Sequence, residues 1–305
     1  MINKISIIGA GGVGSSLGAM LLNQLSFNEL VFIDIDQDLA AGLCLDLEDC
    51  RGAFKFGTKI SGSSDFSAIK DSDLVVITAG FARQKGMSRQ DLLKMNSGVV
   101  RDVAAKVKKN SGSAIIIVVT NPLDLITYLV ASEFGFDRRK VIGMGSSLDT
   151  NRLFNILYNL TGVAVSSMSG FVYGAHSPDM IVEPQRVSLA TKELGSVLDE
   201  NNLKAVQERV KQRGAEIVGF LKKGSARFGP AAACLKLIEA IAYDKNELLP
   251  VSSLLNGEYG LKDVCLGVPC LINRQGIAKI VEVELTKKER LALEKSAKLF
   301  KECTI

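Results

Sequence analysis

The sequence predicts an α/β chain: a doubly wound parallel sheet at its N-terminus, followed by a mixed α+β second half. Three observations carry this. Short aliphatic runs alternate with stretches of helical period through the first half. A glycine-rich turn joins the first of those runs to the first helical stretch. Past Gly162 the alternation gives way to strand-like pieces and separate helices. At 305 residues the chain has room for two lobes, each with its own core. The boundary is placed near residue 145, giving units 1–145 and 146–305.

Lys4-Ile5-Ser6-Ile7-Ile8 reads as the first strand, and it runs into Gly9-Ala10-Gly11-Gly12-Val13-Gly14. Helical spacing of Leu17, Met20, Leu21 and Leu25 follows, then a second strand, Leu30-Val31-Phe32-Ile33, ending at Asp34. This G-x-G-x-x-G turn lies between a strand and a helix, with an acid about 20 residues on. In that context it is the dinucleotide-binding fingerprint of a Rossmann unit. Gly9 makes the tight turn, Gly11 lets the backbone approach a pyrophosphate, and Gly14 lets helix and strand pack closely. The helix N-terminus offers free N–H groups to the phosphates. Asp34 is suited to the adenosine ribose hydroxyls and repels a 2′-phosphate, so NAD is expected over NADP.

The remaining elements follow in order. A helix is expected over 36–50, a strand near 59–61, and a nearly continuous apolar strand over 74–78, as in a sheet covered on both faces. The basic loop 81–89 contains Arg83 and Arg89 and lies at a strand's carboxyl end, where open α/β sheets bind ligands. Ser88 and Asp91 form a capping box for a helix to about residue 109. A strand over 113–120 leads to Asn121-Pro122, read as N-cap and first helical residue or, alternatively, as an amide facing the cleft. A helix to about 134, a strand over 140–143 and a helix from about 146 to 160 carry the chain across the boundary. Asp149 and Arg152 share a face of that last helix. Beyond it come strand-like 169–173, the segment Gly174-Ala175-His176, helical 191–222, and a small-residue helix over 231–243. Strands near 248–254, 264–268 and 277–285 follow. A charged terminal helix over 287–302 packs through Leu293, Ala297 and Phe300.

Composition excludes several functions. The chain is 47% hydrophobic and 23% charged, with a net charge of +4 and both signs interspersed, which gives no footprint for nucleic acid. No apolar run reaches the length of a membrane helix, and no signal-peptide pattern opens the chain. Six cysteines (Cys44, Cys50, Cys234, Cys265, Cys270, Cys303) form no C-x-x-C pair, and a single histidine is available to complete a metal site. Free thiols, no bound metal and a cytoplasmic location are expected. That single histidine, His176, is the side chain best suited to proton transfer near neutrality.

Taken together, several stretches resemble the lactate/malate dehydrogenase family. They are Gly9–Gly14 with Asp34, Thr78-Ala79-Gly80 with the Arg83 and Arg89 loop, Val119-Thr120-Asn121-Pro122-Leu123-Asp124, Leu148-Asp149 with Arg152, and Gly174-Ala175-His176. The likeness covers the whole chain in order. It implies an NAD-dependent oxidoreductase with a Rossmann domain and a C-terminal α+β catalytic domain. Arg83 stands where the lactate type has glutamine, and Met87 and Gly224-Ser225-Ala226 also look like the malate type. A guanidinium there suits the second carboxylate of a small dicarboxylate, malate or oxaloacetate. The alternative is a lactate or other 2-hydroxyacid dehydrogenase; a dinucleotide-binding scaffold without catalysis is a third reading.

The resemblance also implies roles. His176 exchanges the proton of the substrate hydroxyl, and Asp149 orients its imidazole. Arg89 polarises the carbonyl, Arg152 clamps the carboxylate beside the reacting carbon, and Arg83 binds the distal one. Asn121 holds the substrate oxygen and the nicotinamide, and Asn96 is expected among the cofactor-binding residues. A homodimer or homotetramer is implied. One departure stands out: the family usually has glycine and then aspartate after its histidine, whereas this chain has Ser177-Pro178-Asp179, which narrows the backbone there.

Overall fold

The computed structural model describes residues 2–82, 87–222 and 224–303, apart from the side chains of Arg89 and Gln185. Its first half alternates strands β1 (Lys4–Ile8), β2 (Glu29–Ile33), β3 (Lys59–Ser63), β4 (Leu74–Ile77), β5 (Ile115–Val118) and β6 (Val141–Gly143) with helices. The helices are α1 (Gly12–Gln24), α2 (Gln37–Asp49), the short α3 (Arg51–Phe54), α4 (Arg89–Ser111) and α5 (Leu123–Glu133). These six strands are parallel and ordered β3-β2-β1-β4-β5-β6. The order reverses between β1 and β4, so the crevice for a ligand opens at their carboxyl ends. β4 and β5 are buried along their whole length because helices cover both faces.

Local sequence accounts for these elements. Leu17, Leu21 and Leu22 are buried on the inner face of α1. Each such side chain contributes about 1.5–3 kcal/mol of burial. The expected capping box opens α4: the Asp91 N–H donates to Ser88 Oγ at 3.0 Å and the Ser88 N–H to Asp91 Oδ2 at 3.1 Å. α6 (Gly145–Thr161) ends at Gly162, which takes the left-handed conformation at φ 70°.

The second half adds β7 (Met168–Ser169), β8 (Ser188–Leu189) and β9 (Lys192–Glu193) as a small antiparallel sheet. α7 (Glu200–Leu221) and α8 (Phe228–Ala242) follow, then β10 (Glu247–Asn256), β11 (Lys262–Asn273), β12 (Gly276–Ile280) and α9 (Lys287–Cys303). β10 joins β6 antiparallel through Ser252 and Gly143, so one nine-stranded sheet runs through both halves. One hydrophobic core likewise includes Ile7 and Val76 from the first half and Leu237, Val264 and Phe300 from the second. A smaller core around Leu153, Val172, Val187 and Val210 lies under α6 and α7.

Three local expectations shift. Residues 191–199 are not helical: β9 and a 3₁₀ turn at Leu194–Ser196 occupy them. Asp199 then caps α7 by accepting from the Asn202 N–H at 2.8 Å. The last strand stops at Ile280 rather than running to Leu285. Beyond it the Tyr259 hydroxyl donates to the Val281 carbonyl and accepts from the Val283 N–H, which takes the chain out of the ladder. Finally, Pro122 and not Asn121 is the N-cap of α5, after a cis Asn121–Pro122 peptide bond.

Candidate active site

The glycine turn is built as its spacing requires. Gly9 has φ +110°, and a Cβ there would meet Thr78 Oγ1 at 2.5 Å and the Ala79 nitrogen at 2.9 Å. At Gly14 a Cβ would sit 2.0 Å from the Gly9 carbonyl oxygen. Gly11 is different: no heavy atom lies within 4 Å of its would-be Cβ, so the backbone faces open space. α1 starts there with no side-chain cap and no acid in its first turn. Its N–H groups are therefore available to an anion. Asp34, at the end of β2, accepts from the Ala10 N–H at 2.7 Å and the Asp36 N–H at 3.1 Å. These bonds tie the acid to the turn. The cradle fits a dinucleotide: close where helix meets strand, open where phosphates approach.

Asn121 is exposed at the carboxyl end of β5, where its side-chain oxygen accepts from the Leu123 N–H at 3.2 Å. Asn96, on α4, is fully buried. Its amide donates to the carbonyls of Phe81 and Asn121 and accepts from the Phe81 N–H at 2.8 Å. Asn96 thus ties together the two segments that leave β4 and β5, and its polar atoms face the main chain. Arg83 lies outside the described residues. Arg89 is the first residue of α4, and its side chain lies outside what is described.

His176 stands at the centre of the second half of the site. Gly174, at φ +83°, exchanges two backbone hydrogen bonds with Gly267 of β11, both at 2.8 Å. This anchors the segment to the large sheet. A Cβ on Gly267 would fall 1.7 Å from Ser146 Oγ, so only glycine lets β11, α6 and this segment meet. The His176 ring packs over Gly145, where a Cβ would sit 2.8 Å from the imidazole Cγ.

The imidazole Nδ1 lies 2.6 Å from Asp149 Oδ2, and Asp149 is 1% exposed. Arg152 Nη1 donates to the other oxygen of that carboxylate at 3.0 Å. One buried carboxylate thereby holds both the imidazole and the guanidinium. Burial acts to lower the His176 pKa, but the Asp149 charge and hydrogen bond outweigh it, and the pKa is raised above its ordinary value. Nδ1 is taken, so Nε2 is the nitrogen left for a ligand. α7 backs Arg152 at Gly214, where a Cβ would lie 3.5 Å from Nη2.

A second carboxylate reaches the histidine. Asp124, in the first turn of α5 and 1% exposed, accepts from the His176 backbone N–H at 2.7 Å and from Ser252 Oγ at 2.8 Å. In the sequence Asp124 belongs to the Asn121-Pro122-Leu123-Asp124 stretch, with no role of its own. The signal was an acid in an otherwise apolar helix start, Leu123-Asp124-Leu125-Ile126. Ser177 and Pro178 are accommodated without a left-handed residue. Instead, the Met180 N–H donates to the Ser177 carbonyl at 2.9 Å and the Asp179 N–H to Ser177 Oγ at 3.1 Å.

Tyr173, just upstream, donates its hydroxyl to Glu289 Oε1 of α9 at 2.6 Å, and Arg186 pairs with the same carboxylate at 2.9 Å. Burial raises the Glu289 pKa, but Arg186, Tyr173 and Thr286 more than reverse it and hold the group at about 2. Among the described residues no three metal-ligating side chains converge, and no helix is long and apolar enough to cross a membrane.

Known proteins resemble this chain in sequence and fold. Residues 3–143 match the lactate/malate dehydrogenase NAD binding domain, and residues 146–304 match the family's alpha/beta C-terminal domain. The malate dehydrogenase of Pelodictyon phaeoclathratiforme is 39% identical over 299 residues, covering 98% of this chain and 96% of that protein. That of Anoxybacillus flavithermus is 40% identical over 300 residues, with the same coverage of 98% and 96%. Among solved structures, malate dehydrogenase from Cryptosporidium parvum superposes with a TM-score of 0.95 at 33% identity, covering 99% of this chain and 98% of that one. Lactate dehydrogenase from the same organism, complexed with lactic acid and nicotinamide adenine dinucleotide, gives 0.94 at 30% identity, covering 100% and 97%. This chain belongs to the lactate/malate dehydrogenase family.

Proposed function

We propose that this chain is an NAD-dependent malate dehydrogenase, interconverting (S)-malate and oxaloacetate. The observation that carries it is the shared carboxylate: Asp149 holds His176 Nδ1 at 2.6 Å and Arg152 at 3.0 Å. A proton-transfer group and a carboxylate-binding group are thereby fixed side by side, as a 2-hydroxyacid requires. Arg83 in the sequence and the names of the similar curated enzymes favour the dicarboxylate over lactate.

NAD, held by the Gly9–Gly14 turn and Asp34, would supply the hydride acceptor for the hydroxyl-bearing carbon and, reduced, the hydride donor for the reverse direction. The chain's residues do the rest. Gly9, Gly11 and Gly14 shape the turn that receives the pyrophosphate, and Asp34 receives the ribose hydroxyls. Asn96 holds the cofactor side of the cleft in register through Phe81 and Asn121, and the Asn121 amide meets the reacting oxygen. His176 Nε2 accepts the hydroxyl proton from malate and gives it back to the oxaloacetate carbonyl. Asp149 keeps the ring in one orientation and stabilises its protonated form. Arg152 pairs with the carboxylate beside the reacting carbon and Arg83 with the distal one, while Arg89 stabilises charge developing on the carbonyl oxygen.

The enzyme is further proposed to act in the cytoplasm as a homodimer or homotetramer. The functional test is NADH oxidation measured with oxaloacetate and with pyruvate. Preferential turnover of oxaloacetate is expected. Preference for pyruvate would make it a lactate-type enzyme, and no turnover of either would overturn the catalytic reading.

A further inference from the structure

We propose that Asp124 is a positioning residue for His176, a second carboxylate that grips the histidine's main chain while Asp149 grips its ring. The inference rests on the malate dehydrogenase reading for its kinetic readout alone. Three observations support it. Asp124 Oδ2 accepts from the His176 backbone N–H at 2.7 Å, a charge-assisted bond. Its other oxygen accepts from Ser252 Oγ on β10 at 2.8 Å. The carboxylate itself is buried, at the start of a helix whose neighbouring residues Leu123, Leu125 and Ile126 are apolar and buried.

A buried carboxylate is costly to keep unless bonds and charge compensate it. Here the compensation comes from the N-terminal end of α5, from Ser252 and from the histidine's own N–H. The result is a three-way junction. α5 belongs to the first half of the chain, β10 to the second, and His176 leaves the sheet between them. Asp149 fixes the ring's orientation about its side-chain bonds, which is useful only if the Cα it hangs from is fixed too. Asp124 supplies that second constraint.

Asp124 also acts through charge. The charged groups that act most strongly on the imidazole are Asp149 and Arg152 from α6 and Asp124 from α5. Both carboxylates favour the protonated ring and Arg152 disfavours it. With Asp124 in place the site holds its proton to higher pH than Asp149 alone would allow.

The test exploits the fact that this chain contains a single histidine. In the untagged, full-length protein the ring proton and nitrogen NMR signals of His176 titrate without overlap from another imidazole. Asp124→Asn keeps an acceptor for the His176 N–H and removes the charge. The imidazole midpoint is expected to fall by about one pH unit. The pH midpoint of oxaloacetate reduction, which needs the protonated ring, is expected to move in the same direction. Asp124→Ala removes the acceptor as well, and kcat is expected to fall about ten- to a hundred-fold with little change in NADH Kd. Asn at this position should recover most of that loss. An unmoved imidazole midpoint in Asp124→Asn overturns the charge role. A near-native kcat in Asp124→Ala overturns the positioning role; if that variant does not fold, Ser252→Ala, which releases the carboxylate's second anchor, takes its place, and a near-native kcat with unmoved His176 ring signals there overturns the role. A wild-type protein inert toward oxaloacetate would sink the malate reading, while a shifted midpoint in Asp124→Asn would still support Asp124.

Discussion

Arg152 and His176 lean on opposite oxygens of one buried carboxylate, Asp149. On the roles proposed for these two residues, substrate binding and proton transfer would be coupled through a shared acid. If Arg152 were drawn toward a substrate carboxylate, an oxygen of Asp149 would be freed and its charge would act more fully on the imidazole.

His176→Asn is expected to lower kcat for oxaloacetate reduction by about 10²-fold or more, since general acid catalysis contributes about 10²–10⁴-fold. No other imidazole is present to substitute. NADH affinity, followed by fluorescence titration, should stay within about two-fold, because the glycine turn and Asp34 lie in the other half. Near-native turnover would refute the proton-transfer role.

Asp149→Asn should move the pH dependence. The His176 pKa is raised chiefly by Asp149 against the effect of burial, so removing that charge lowers it. Oxaloacetate reduction uses the protonated ring and falls as pH rises through the midpoint. In the variant that fall should come at lower pH. Malate oxidation uses the neutral ring, and its rising limb should shift the same way. pH profiles of kcat/KM in both directions check this, and unmoved limbs would contradict it.

Arg83→Gln is expected to cut kcat/KM for oxaloacetate by about 10²-fold, the consequence of removing a guanidinium from a charged ligand group. The pyruvate value should hold or rise, so the ratio of the two is the quantity to measure. A ratio unchanged from wild type would remove Arg83 from substrate selection.

Glu289→Gln should destabilise the fold without touching the site's chemistry. The carboxylate is held at about 2. Its stabilisation is thus present above the ordinary carboxylate range and is lost as pH falls through that low value. By linkage the contribution at neutral pH is about 3 kcal/mol. Urea unfolding at pH 7 should show a gap of that order between wild type and variant, and the gap should narrow in acid. An equal gap at every pH would mean that packing, not charge, is lost.

Much of the site was legible because it is local. Gly9, Gly11, Gly14 and Asp34 act within one strand-turn-helix-strand unit, and residue spacing alone places them. Asp149 and Arg152 sit three apart on one helix, so their proximity also follows from periodicity. The Asp149–His176 pairing had to come from a family resemblance, since the two are joined by tertiary structure. Asp124 is 52 positions from His176, and nothing local marks the contact. The departures from local pattern in the second half have the same origin. Tyr259, from a distant turn, takes the backbone groups that would have extended β12. Asp199 sets the start of α7 against a helical-looking approach.

The nine-stranded sheet runs without a break across the boundary expected near residue 145. Cutting there would leave β6 with an open side and β10 without its neighbour, two raw edges of the kind that seed aggregation. It would also tear the common core and the Asp124–His176 bond. Swapping the C-terminal half for that of a relative would succeed only where the donor reproduces the Gly143–Ser252 seam.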